Sequence, residues 1–383
     1  MASTVLVLGG GVGGLVAANA LRKKLPKEHR VVLVEREASF LFAPSLLWLM
    51  VGERTPEKIS RPLDRLSRKG IEFKRGEIRK IEPDRREVIV DGTTIAGDFL
   101  VVSLGADLDA ASVPGLSEAG HDFYTLAGAG SLYGALERFS GGRIALLTAE
   151  PVYRCPAAPY EAAMLVEGYC RKRKIREQTK IDLYAAEPGP MGVAGPEVSQ
   201  GVRGMVEAKG ITYHPEHRVQ SVDPAARKLR FANGAEAGYD LLAYVPPHRA
   251  PKVVREAGLC GESGWVSADR ATFETRFPGV YAIGDAVSIP LKLGKPLPKA
   301  GVFAHAEANV VAANIARAIL GKGKGATFDG EGECFVETGD GKAGFGKGNF
   351  YAEPLPAVKL HPPARRWHAG KVLFEKDWLR RWF

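Results

Sequence analysis

The 383-residue sequence predicts an α/β fold with parallel sheets, and three observations support this prediction. Strand-like and helix-like apolar runs alternate along most of the chain, as they do in chains that wind a parallel sheet. A glycine cluster separates the first strand from the first helix, and a later strand ending in Gly284 and Asp285 precedes an alanine-rich helix. Because the chain is too long for one core, we expect two or three domains.

Residues 4–35 form the most specific pattern in the sequence. Gly9, Gly11 and Gly14 follow the G-x-G-x-x-G spacing between a strand and a helix, and the next strand ends at Glu35. The first glycine permits a tight turn, the second lets a pyrophosphate approach the backbone, and the third lets the helix pack on the strand. A diphosphate is favoured at the helix N-terminus, and a terminal carboxylate accepts a hydrogen bond from a ribose hydroxyl and disfavours a 2′-phosphate. We therefore predict a dinucleotide-binding βαβ unit.

A second signal indicates which dinucleotide binds. The strand ending in Gly284 and Asp285 is followed by Lys299 and by a predicted helix from about residue 302 to 320. This arrangement resembles the two-dinucleotide-binding-domain flavoproteins. The resemblance implies that Asp285 binds the ribityl chain of FAD, that the helix points its N-terminus at the flavin, and that the strand ending at Gly105 leads out of the FAD domain. Lys299, as a cation near the pyrimidine, would stabilise negative charge on the reduced flavin.

Composition and charge restrict the function classes. No segment has the roughly 18–20 uncharged apolar residues of a membrane span, and the N-terminus lacks a secretory pattern, so we expect a protein on the cytoplasmic side. The net charge of +9 is concentrated at Arg171–Lys174 and beyond Lys359, without a nucleic-acid-binding motif, which favours an anionic membrane surface as partner and no nucleic acid. His305, His361 and His368 show no repeated ligand spacing, so we expect no metal site.

The second domain would need its own glycine fingerprint to bind a pyridine nucleotide. After the predicted strand 143–148, residues 149–159 contain Cys155 but no glycine where a phosphate would approach the backbone. We therefore do not expect NAD(P)H to bind there. The next helix, predicted at about 160–174, begins beside Cys155, and a thiol near a helix N-terminus is expected to have a lowered pKa. With only four cysteines in the chain, any that pair are expected to be redox-active.

Several segments together resemble the sulfide:quinone oxidoreductase family and its relative, the flavocytochrome c sulfide dehydrogenase flavoprotein, nearly from end to end. These segments are residues 40–45, 51–54, 155–161, 246–251, 298–301, 332–335 and 371–376. The resemblance implies that Cys155 and Cys334 flank the flavin, with Cys334 nearer to it, and form a redox disulfide that sulfide attacks. It also implies that electrons pass through the flavin to a quinone, and Phe335 and Phe374 match family positions near the quinone ring.

The chain departs from the family pattern in two places. Many bacterial members carry a third cysteine before the pair, whereas residues 105–140 contain none, so a two-cysteine mechanism is implied. Residues 40–45 also lack a cysteine of the kind that tethers the flavin in flavocytochrome c, so FAD is expected to be noncovalent.

Other candidates allow two interpretations each. Glu161, six residues after Cys155, is a candidate for local proton handling, or is simply a carboxylate that the helix dipole favours. His248 either assists deprotonation or packs in its loop. Cys170 and Cys260 are expected to be structural.

The C-terminal segment repeats large aromatic residues at intervals of four. A helix there would place Phe374, Trp378 and Trp382 on one face beside arginines, a pattern suited to a membrane interface. The alternative is a helix that closes the C-terminal domain.

We assign residues 1–107 and 275–325 to the FAD domain, 108–274 to a degenerate second Rossmann-like domain, and 326–383 to the cap, with a hinge at 321–325. The expected function is sulfide oxidation with electron transfer to a quinone by a peripheral protein on the cytoplasmic side of the cell membrane. A homo-oligomer is compatible with the sequence. Two alternatives stay open: a type II NADH:quinone dehydrogenase, which would need a glycine-rich second site and no cysteine pair, and a non-catalytic FAD-binding redox sensor that docks through Arg171–Lys174.

Overall fold

A computed structural model describes residues 2–383 of the chain. Two five-stranded parallel sheets form its centre, and a three-stranded antiparallel sheet with a long helix covers one side. The prediction of an α/β fold with two Rossmann-like domains and a C-terminal cap is confirmed.

The first part of the chain supplies most of the first parallel sheet. Its elements are β1 Thr4–Leu8, α1 Val12–Lys24, β2 Arg30–Glu35, β3 Ser39–Leu41, α2 Leu46–Leu49, α3 Pro56–Ile59, β4 Ser60–Pro62, β5 Glu72–Arg75, β6 Ile78–Glu82, β7 Glu87–Val90, β8 Thr93–Ala96 and β9 Phe99–Val102. The apolar residues of β1, β2 and β9 are buried, as expected for strands that are covered on both faces.

The middle of the chain forms the second parallel sheet. Its elements are β10 Asp107–Leu108, α4 Leu116–Ala119, β11 His121–Asp122, α5 Leu126–Arg138, β12 Gly142–Thr148, α6 Ala158–Lys172, β13 Thr179–Tyr184, α7 Pro196–Glu207, β14 Thr212–His214, β15 Val219–Asp223, β16 Lys228–Phe231, β17 Glu236–Gly238, β18 Leu241–Val245, β19 His248–Arg249 and α8 Lys252–Glu256. The helix predicted at about 160–174 is α6, which begins and ends two residues earlier.

The last part of the chain returns to the first sheet and then builds the cap. Its elements are β20 Val280–Ala282, α9 Gly301–Leu320, β21 Glu331–Glu337, β22 Ala343–Asn349, β23 Ala357–Ala364 and α10 Arg365–Arg381. Helix α9 ends at Gly321, whose φ of 64° lies in the left-handed region, and the chain then crosses to the cap.

The order of strands places a crevice where a ligand can bind. The first sheet has the order β5-β2-β1-β9-β20 with all neighbours parallel, and the second has the equivalent order β14-β13-β12-β18-β11. In such sheets the order reverses beside the first strand, and ligands bind outside the carboxyl ends of the strands at that point. In the first sheet this point lies between β1 and β9.

Helix α1 packs closely on β1 because of Gly14. A Cβ atom added at Gly14 would lie 1.8 Å from the carbonyl oxygen of Gly9, so no larger residue fits without moving the helix. This contact explains the third glycine of the fingerprint, and α1 also packs along α9 on the same side of the sheet.

Helix α10 is held against the first part of the chain by buried polar contacts. The Nε–H of Arg54 is shared between the two carboxylate oxygens of Glu375, at 3.0 Å from each, and Nη2 donates to the same carboxylate at 2.9 Å. The hydroxyl of Ser45 donates to the same carboxylate. Because Glu375 is buried, this pair fixes the position of α10 more firmly than a surface ion pair would.

The aromatic residues of α10 correct the prediction of a membrane-facing stripe. Trp378 is buried and Trp382 is half-buried, and their rings lie 5.3 and 5.5 Å from the ring of His305 in α9. The intervals of four reflect packing against the protein, and of the three predicted residues only Phe374 is exposed. Among residues 2–383, no helix is both long enough and apolar enough to cross a membrane.

Candidate active site

A cleft of about 680 Å³ opens at the carboxyl ends of the first parallel sheet. Its size is that of a typical cofactor or ligand site. The predicted cofactor residues that line it are Gly9, Gly11, Glu35, Gly105, Gly284, Asp285 and Lys299, and Cys155 lies in the same wall. Gly14 lies behind the wall and acts through helix packing instead.

The cleft fits a dinucleotide at the positions that the glycine fingerprint predicts. Gly9 has a φ of +99°, and a Cβ there would lie 2.3 Å from the carbonyl oxygen of Ser103, so glycine is required at this turn. A Cβ at Gly11 would meet no atom within 4 Å, which leaves open space where a pyrophosphate would approach the helix N-terminus. The carboxylate of Glu35 accepts hydrogen bonds from the N–H groups of Gly10 at 2.7 Å and Glu37 at 2.9 Å, which hold it at the cleft wall.

The other end of the cleft is formed by Asp285, Lys299 and the N-terminus of α9. Burial raises the pKa of Asp285 above its ordinary value. The ammonium of Lys299 donates to the carbonyl oxygens of Asp285 and Val287, both at 2.8 Å, and lies 3.5 Å from the ring centre of Trp265. Burial lowers the pKa of Lys299 to about 8. The predicted cation therefore lies at this end, and its ammonium is held by backbone carbonyls.

Cys155 is held in a strained conformation at the cleft wall. Its φ of 51° is left-handed, which is costly for a residue with a side chain. The N–H of Cys155 donates to the carbonyl oxygen of Lys299 at 2.6 Å, and its own carbonyl accepts from Ala158 at 2.9 Å. These two bonds fix the thiol between the second domain and the segment that opens α9.

The pKa predicted for Cys155 is wrong in direction. Burial raises the pKa of this thiol to about 12, and the negative charge of Glu161 adds to the increase. The dipole of α6 does not compensate, because the thiol is removed from water by contacts that the local sequence does not show.

Cys334 lies close enough to Cys155 for the charge of one to affect the pKa of the other. It is half-buried in β21, and its Sγ is 3.2 Å from the carbonyl oxygen of Phe335. Burial raises the pKa of Cys334 well above its ordinary value, and the charge of Cys155 raises it further, so the two sulfur atoms share one electrostatic environment. The four cysteines, all within the described residues, are free thiols in the structure.

A buried ion pair accompanies the two cysteines. Glu161, in the first turn of α6, is 2% exposed and accepts from Nζ of Lys371 at 2.6 Å and from the N–H of Glu337 at 2.8 Å. Burial lowers the pKa of Lys371, but the carboxylates of Glu161 and Glu337 outweigh burial and raise it above its ordinary value. The positive charge of Lys371 also lowers the pKa of both Cys155 and Cys334, which opposes part of the effect of burial.

The two predicted quinone residues lie in β21 and α10. The ring of Phe335 is 5.0 Å from that of Phe345 and packs beside Gly370, where a Cβ would be 3.4 Å from it. Phe374 is one helical turn after Gly370, is 47% exposed, and has its ring 5.9 Å from that of Phe42. Phe335 of β21 therefore packs against α10 about one turn before the position of Phe374, which is a residue of that helix.

His248 packs in the protein interior. It is buried, its Nδ1–H donates to the carbonyl oxygen of Pro246 at 2.8 Å, and its ring lies edge-on to Tyr124 with centres 5.4 Å apart. Burial lowers its pKa to about 3, so the imidazole stays neutral at ordinary pH. The structure thus matches the packing interpretation of His248.

Sequence reasoning missed Lys371, Glu337 and His368 as site residues. Lys371 is the first residue of segment 371–376, which carries the family resemblance, and this position could have indicated its role. Glu337 and His368 had no such signal, because only the tertiary structure brings β21 and α10 beside α6.

Comparison with known proteins identifies the family. The model of the pyridine nucleotide-disulphide oxidoreductase family matches residues 3–309, which is most of the chain. The chain belongs to this family. The chain is 28% identical to the sulfide-quinone reductase of Aquifex aeolicus over an alignment of 397 positions, which covers 99% of this chain and 91% of the relative. It is 24% identical to the mitochondrial sulfide:quinone oxidoreductase of Mus musculus over 367 residues, 92% of this chain and 79% of the relative.

A solved structure agrees with these relatives. The crystal structure of the sulfide:quinone oxidoreductase from Aquifex aeolicus superposes on this pyridine nucleotide-disulphide oxidoreductase with a TM-score of 0.90 and 26% identity, covering 100% of this chain and 91% of the other. The predicted resemblance to sulfide:quinone oxidoreductases is confirmed, and the protein is an oxidoreductase with a flavin-type cofactor.

The ion pair of this oxidoreductase makes a prediction about stability. Glu161→Gln and Lys371→Met are each expected to lower the free energy of unfolding by about 3–5 kcal/mol, because each leaves a buried charge without its partner. The double variant removes both charges and is expected to recover most of this loss. Urea unfolding of the wild type, the two single variants and the double variant completes this double-mutant cycle. If the two losses of unfolding free energy simply add in the double variant, the two charges do not stabilise each other.

Proposed function

We propose that this protein oxidises sulfide at Cys155 and Cys334 and passes the electrons through noncovalent FAD to a quinone. The observation that carries the proposal is Cys155 in the wall of the cleft, with Cys334 near enough for their charges to interact and with a buried lysine and glutamate beside them. The names of the relatives, which act on sulfide and quinone, support the substrates.

The residues of the cleft would hold FAD without a covalent bond. Gly9 would form the tight turn, Gly11 would leave room for the pyrophosphate, Glu35 would face the ribose, and Asp285 with the N-terminus of α9 would face the flavin end. When bound, FAD supplies a carrier that takes up an electron pair and gives it to a quinone.

The sulfur step follows from the positions of the two cysteines. In the oxidised protein we propose a disulfide between Cys155 and Cys334. Hydrosulfide attacks one sulfur, the S–S bond breaks, and a new S–S bond forms, so that one cysteine becomes a persulfide and the other leaves as a thiolate. Lys371 stabilises the leaving thiolate, since its positive charge lowers the pKa of both cysteines.

The second domain argues against NADH as the electron donor. Glu187 lies just beyond β13, where a ribose-binding carboxylate would stand in a nucleotide-binding unit. It is buried, and the hydroxyls of Thr148, Tyr153 and Tyr160 all donate to it. Tyr153 and Tyr160 thus occupy the crevice that a pyridine nucleotide would need. The carboxylate of Glu187, which would otherwise bind a ribose, already accepts hydrogen bonds from protein hydroxyls.

We further propose that α10 touches the cytoplasmic side of a membrane, where quinone is reached. Leu373 is 66% exposed and Phe374 is 47% exposed, although both are large apolar residues. Arg366, Lys376 and Arg380 are exposed on the same helix and would approach anionic headgroups.

The membrane contact predicts a loss of vesicle binding. The double variant Leu373→Ser/Phe374→Ser is expected to bind anionic vesicles about tenfold or more weakly, because it removes the exposed apolar area. Sedimentation with vesicles containing phosphatidylglycerol measures this. Leu355→Ser is the matched control, since Leu355 is 51% exposed but lies outside α10. Equal binding by both variants would place the membrane contact elsewhere.

An anaerobic titration tests the proposed function. Sulfide is expected to bleach the flavin absorbance of the purified protein, added quinone to restore it, and NADH to leave it unchanged. Bleaching by NADH but not by sulfide would overturn the proposal in favour of an NADH dehydrogenase. If dithionite alone reduces the flavin, the sensor interpretation is favoured.

A further inference from the structure

Two more acid–base groups continue from the Glu161–Lys371 pair towards the surface. Glu337, at the end of β21, is 1% exposed, and its N–H donates to Glu161. Its carboxylate oxygens lie 2.9 and 3.1 Å from Nδ1 of His368 in α10. The side chain of His368 is 30% exposed, so this chain of four groups reaches water.

The environment of Glu337 suits a group that exchanges a proton. A fully buried carboxylate is costly unless it is paired or takes up a proton. Burial raises the pKa of Glu337, while Lys371 and His368 oppose part of that rise. Because Lys371 is bonded to Glu161, His368 is the direct partner of the Glu337 carboxylate.

The groups that face His368 leave it accessible for this exchange. The ring of Trp48 from α2 lies edge-on to it, with centres 6.1 Å apart. The same indole ring is 4.3 Å from the guanidinium of Arg54 and 5.1 Å from the ammonium of Lys371. Arg54 is paired with Glu375, whereas His368 is bonded to the carboxylate of Glu337.

We propose that His368 and Glu337 carry protons from water to the Glu161–Lys371 pair during quinone reduction. This inference rests on the proposed function. Oxidation of hydrosulfide to bound sulfur releases two electrons and one proton, whereas reduction of a quinone to a quinol takes up two electrons and two protons. One proton per turnover must therefore come from water, and a buried site needs a path for it.

The path begins with a direct contact. His368 takes up a proton at Nε2 and gives the Nδ1 proton to Glu337. The ammonium of Lys371 is bonded to Glu161 and attracted by the charge of Glu337, and it moves between the two carboxylates to carry the proton to the site. Loss of the His368 ring removes the group that carries the proton from water to Glu337, without removing the Glu161–Lys371 ion pair.

The test isolates the half-reaction that needs the proton. Flavin is reduced photochemically, without sulfide, and then mixed with a soluble quinone while its absorbance is followed between pH 6 and 9. In His368→Ala we expect reoxidation to be slower by roughly tenfold or more at pH 8, as is typical for loss of a proton-transfer group, and to recover with added imidazole. The apparent KM for quinone is expected to stay unchanged.

Two further variants make the outcome decisive. Glu337→Gln is expected to show the same slow reoxidation, and imidazole is not expected to rescue it, because the gap then lies behind the histidine. His361→Ala is the matched control and is expected to reoxidise at the wild-type rate, since the ring of His361 stacks on Phe345 and forms no ion pair among the described residues.

The alternatives overturn the proposal. A His368→Ala protein that reoxidises at the wild-type rate, or one that is slow but insensitive to both imidazole and pH, would assign His368 a structural role only. A wild-type protein whose reduced flavin is not reoxidised by quinone would also overturn it. Because sulfide is absent, failure of sulfide oxidation is detected separately, in the anaerobic titration.

Discussion

Cys155→Ser and Cys334→Ser are each expected to lower the rate of sulfide-dependent flavin reduction by at least roughly 10³-fold, as removal of an essential covalent group does in other enzymes. A serine oxygen cannot form the disulfide that hydrosulfide attacks, and it cannot carry a persulfide. Stopped-flow absorbance of the flavin after anaerobic mixing with sulfide measures the rate. Photochemical reduction of the flavin should be unaffected in both variants, because it does not require the cysteine pair.

The control for this prediction is Cys260→Ser. Cys260 is half-buried in the same protein, but it is not among the charged groups that shift the pKa of Cys155 or Cys334. In the Cys260→Ser variant, sulfide is expected to reduce the flavin at the wild-type rate. If one variant of the pair keeps the wild-type rate while the other loses it, a single cysteine performs the reaction and the disulfide proposal is wrong.

Gly14→Ala is expected to yield protein with little bound flavin. The added methyl group would lie 1.8 Å from the carbonyl oxygen of Gly9, which belongs to the backbone and cannot turn away. The start of α1 must therefore move from the strand, and the N–H groups that would face the pyrophosphate move with it. We expect the free energy of unfolding to fall by about 1–3 kcal/mol, as for other overpacked sites.

The flavin-to-protein ratio after purification and urea unfolding of the apoprotein check this prediction separately. Gly130→Ala is the matched control, because Gly130 lies in α5, is exposed, and has no atom within 4 Å of an added Cβ. That change is expected to stabilise the protein by about 0.5–1 kcal/mol, since alanine is favoured over glycine within a helix. Normal flavin content in Gly14→Ala would mean that α1 adapts without losing the site.

The parts of the fold that depend on local sequence could be predicted. The strand before the glycines, the strand ending at Glu35 and the helix after Lys299 lie within a residue or two of their predicted positions, because turn glycines and apolar periodicity act over short distances. The family comparison confirms the resemblance found in segments such as 155–161 and 371–376.

The electrostatics of the candidate site could not be predicted in the same way. The raised pKa of Cys155 depends on burial and on Glu161, and the ion pair of Glu161 depends on Lys371, which is 210 positions away. Trp378 and Trp382 read as a membrane face because their intervals fit a helix, and a pattern of intervals does not show which surface covers it. In the structure, α9 covers this face of α10, because His305 packs against Trp378 and Trp382.

The dependence of the site on α10 and β21 has a consequence for synthesis of the protein. The cleft residues up to Gly301 leave the ribosome before Cys334, Glu337 and Lys371, and domains generally fold in the order in which they emerge. Under the proposed function, a nascent chain that has formed its cleft still lacks both the partner sulfur of Cys155 and the lysine that assists it. The proposed electron path therefore requires β21 and α10, and sulfide would reduce the cofactor only after both have folded.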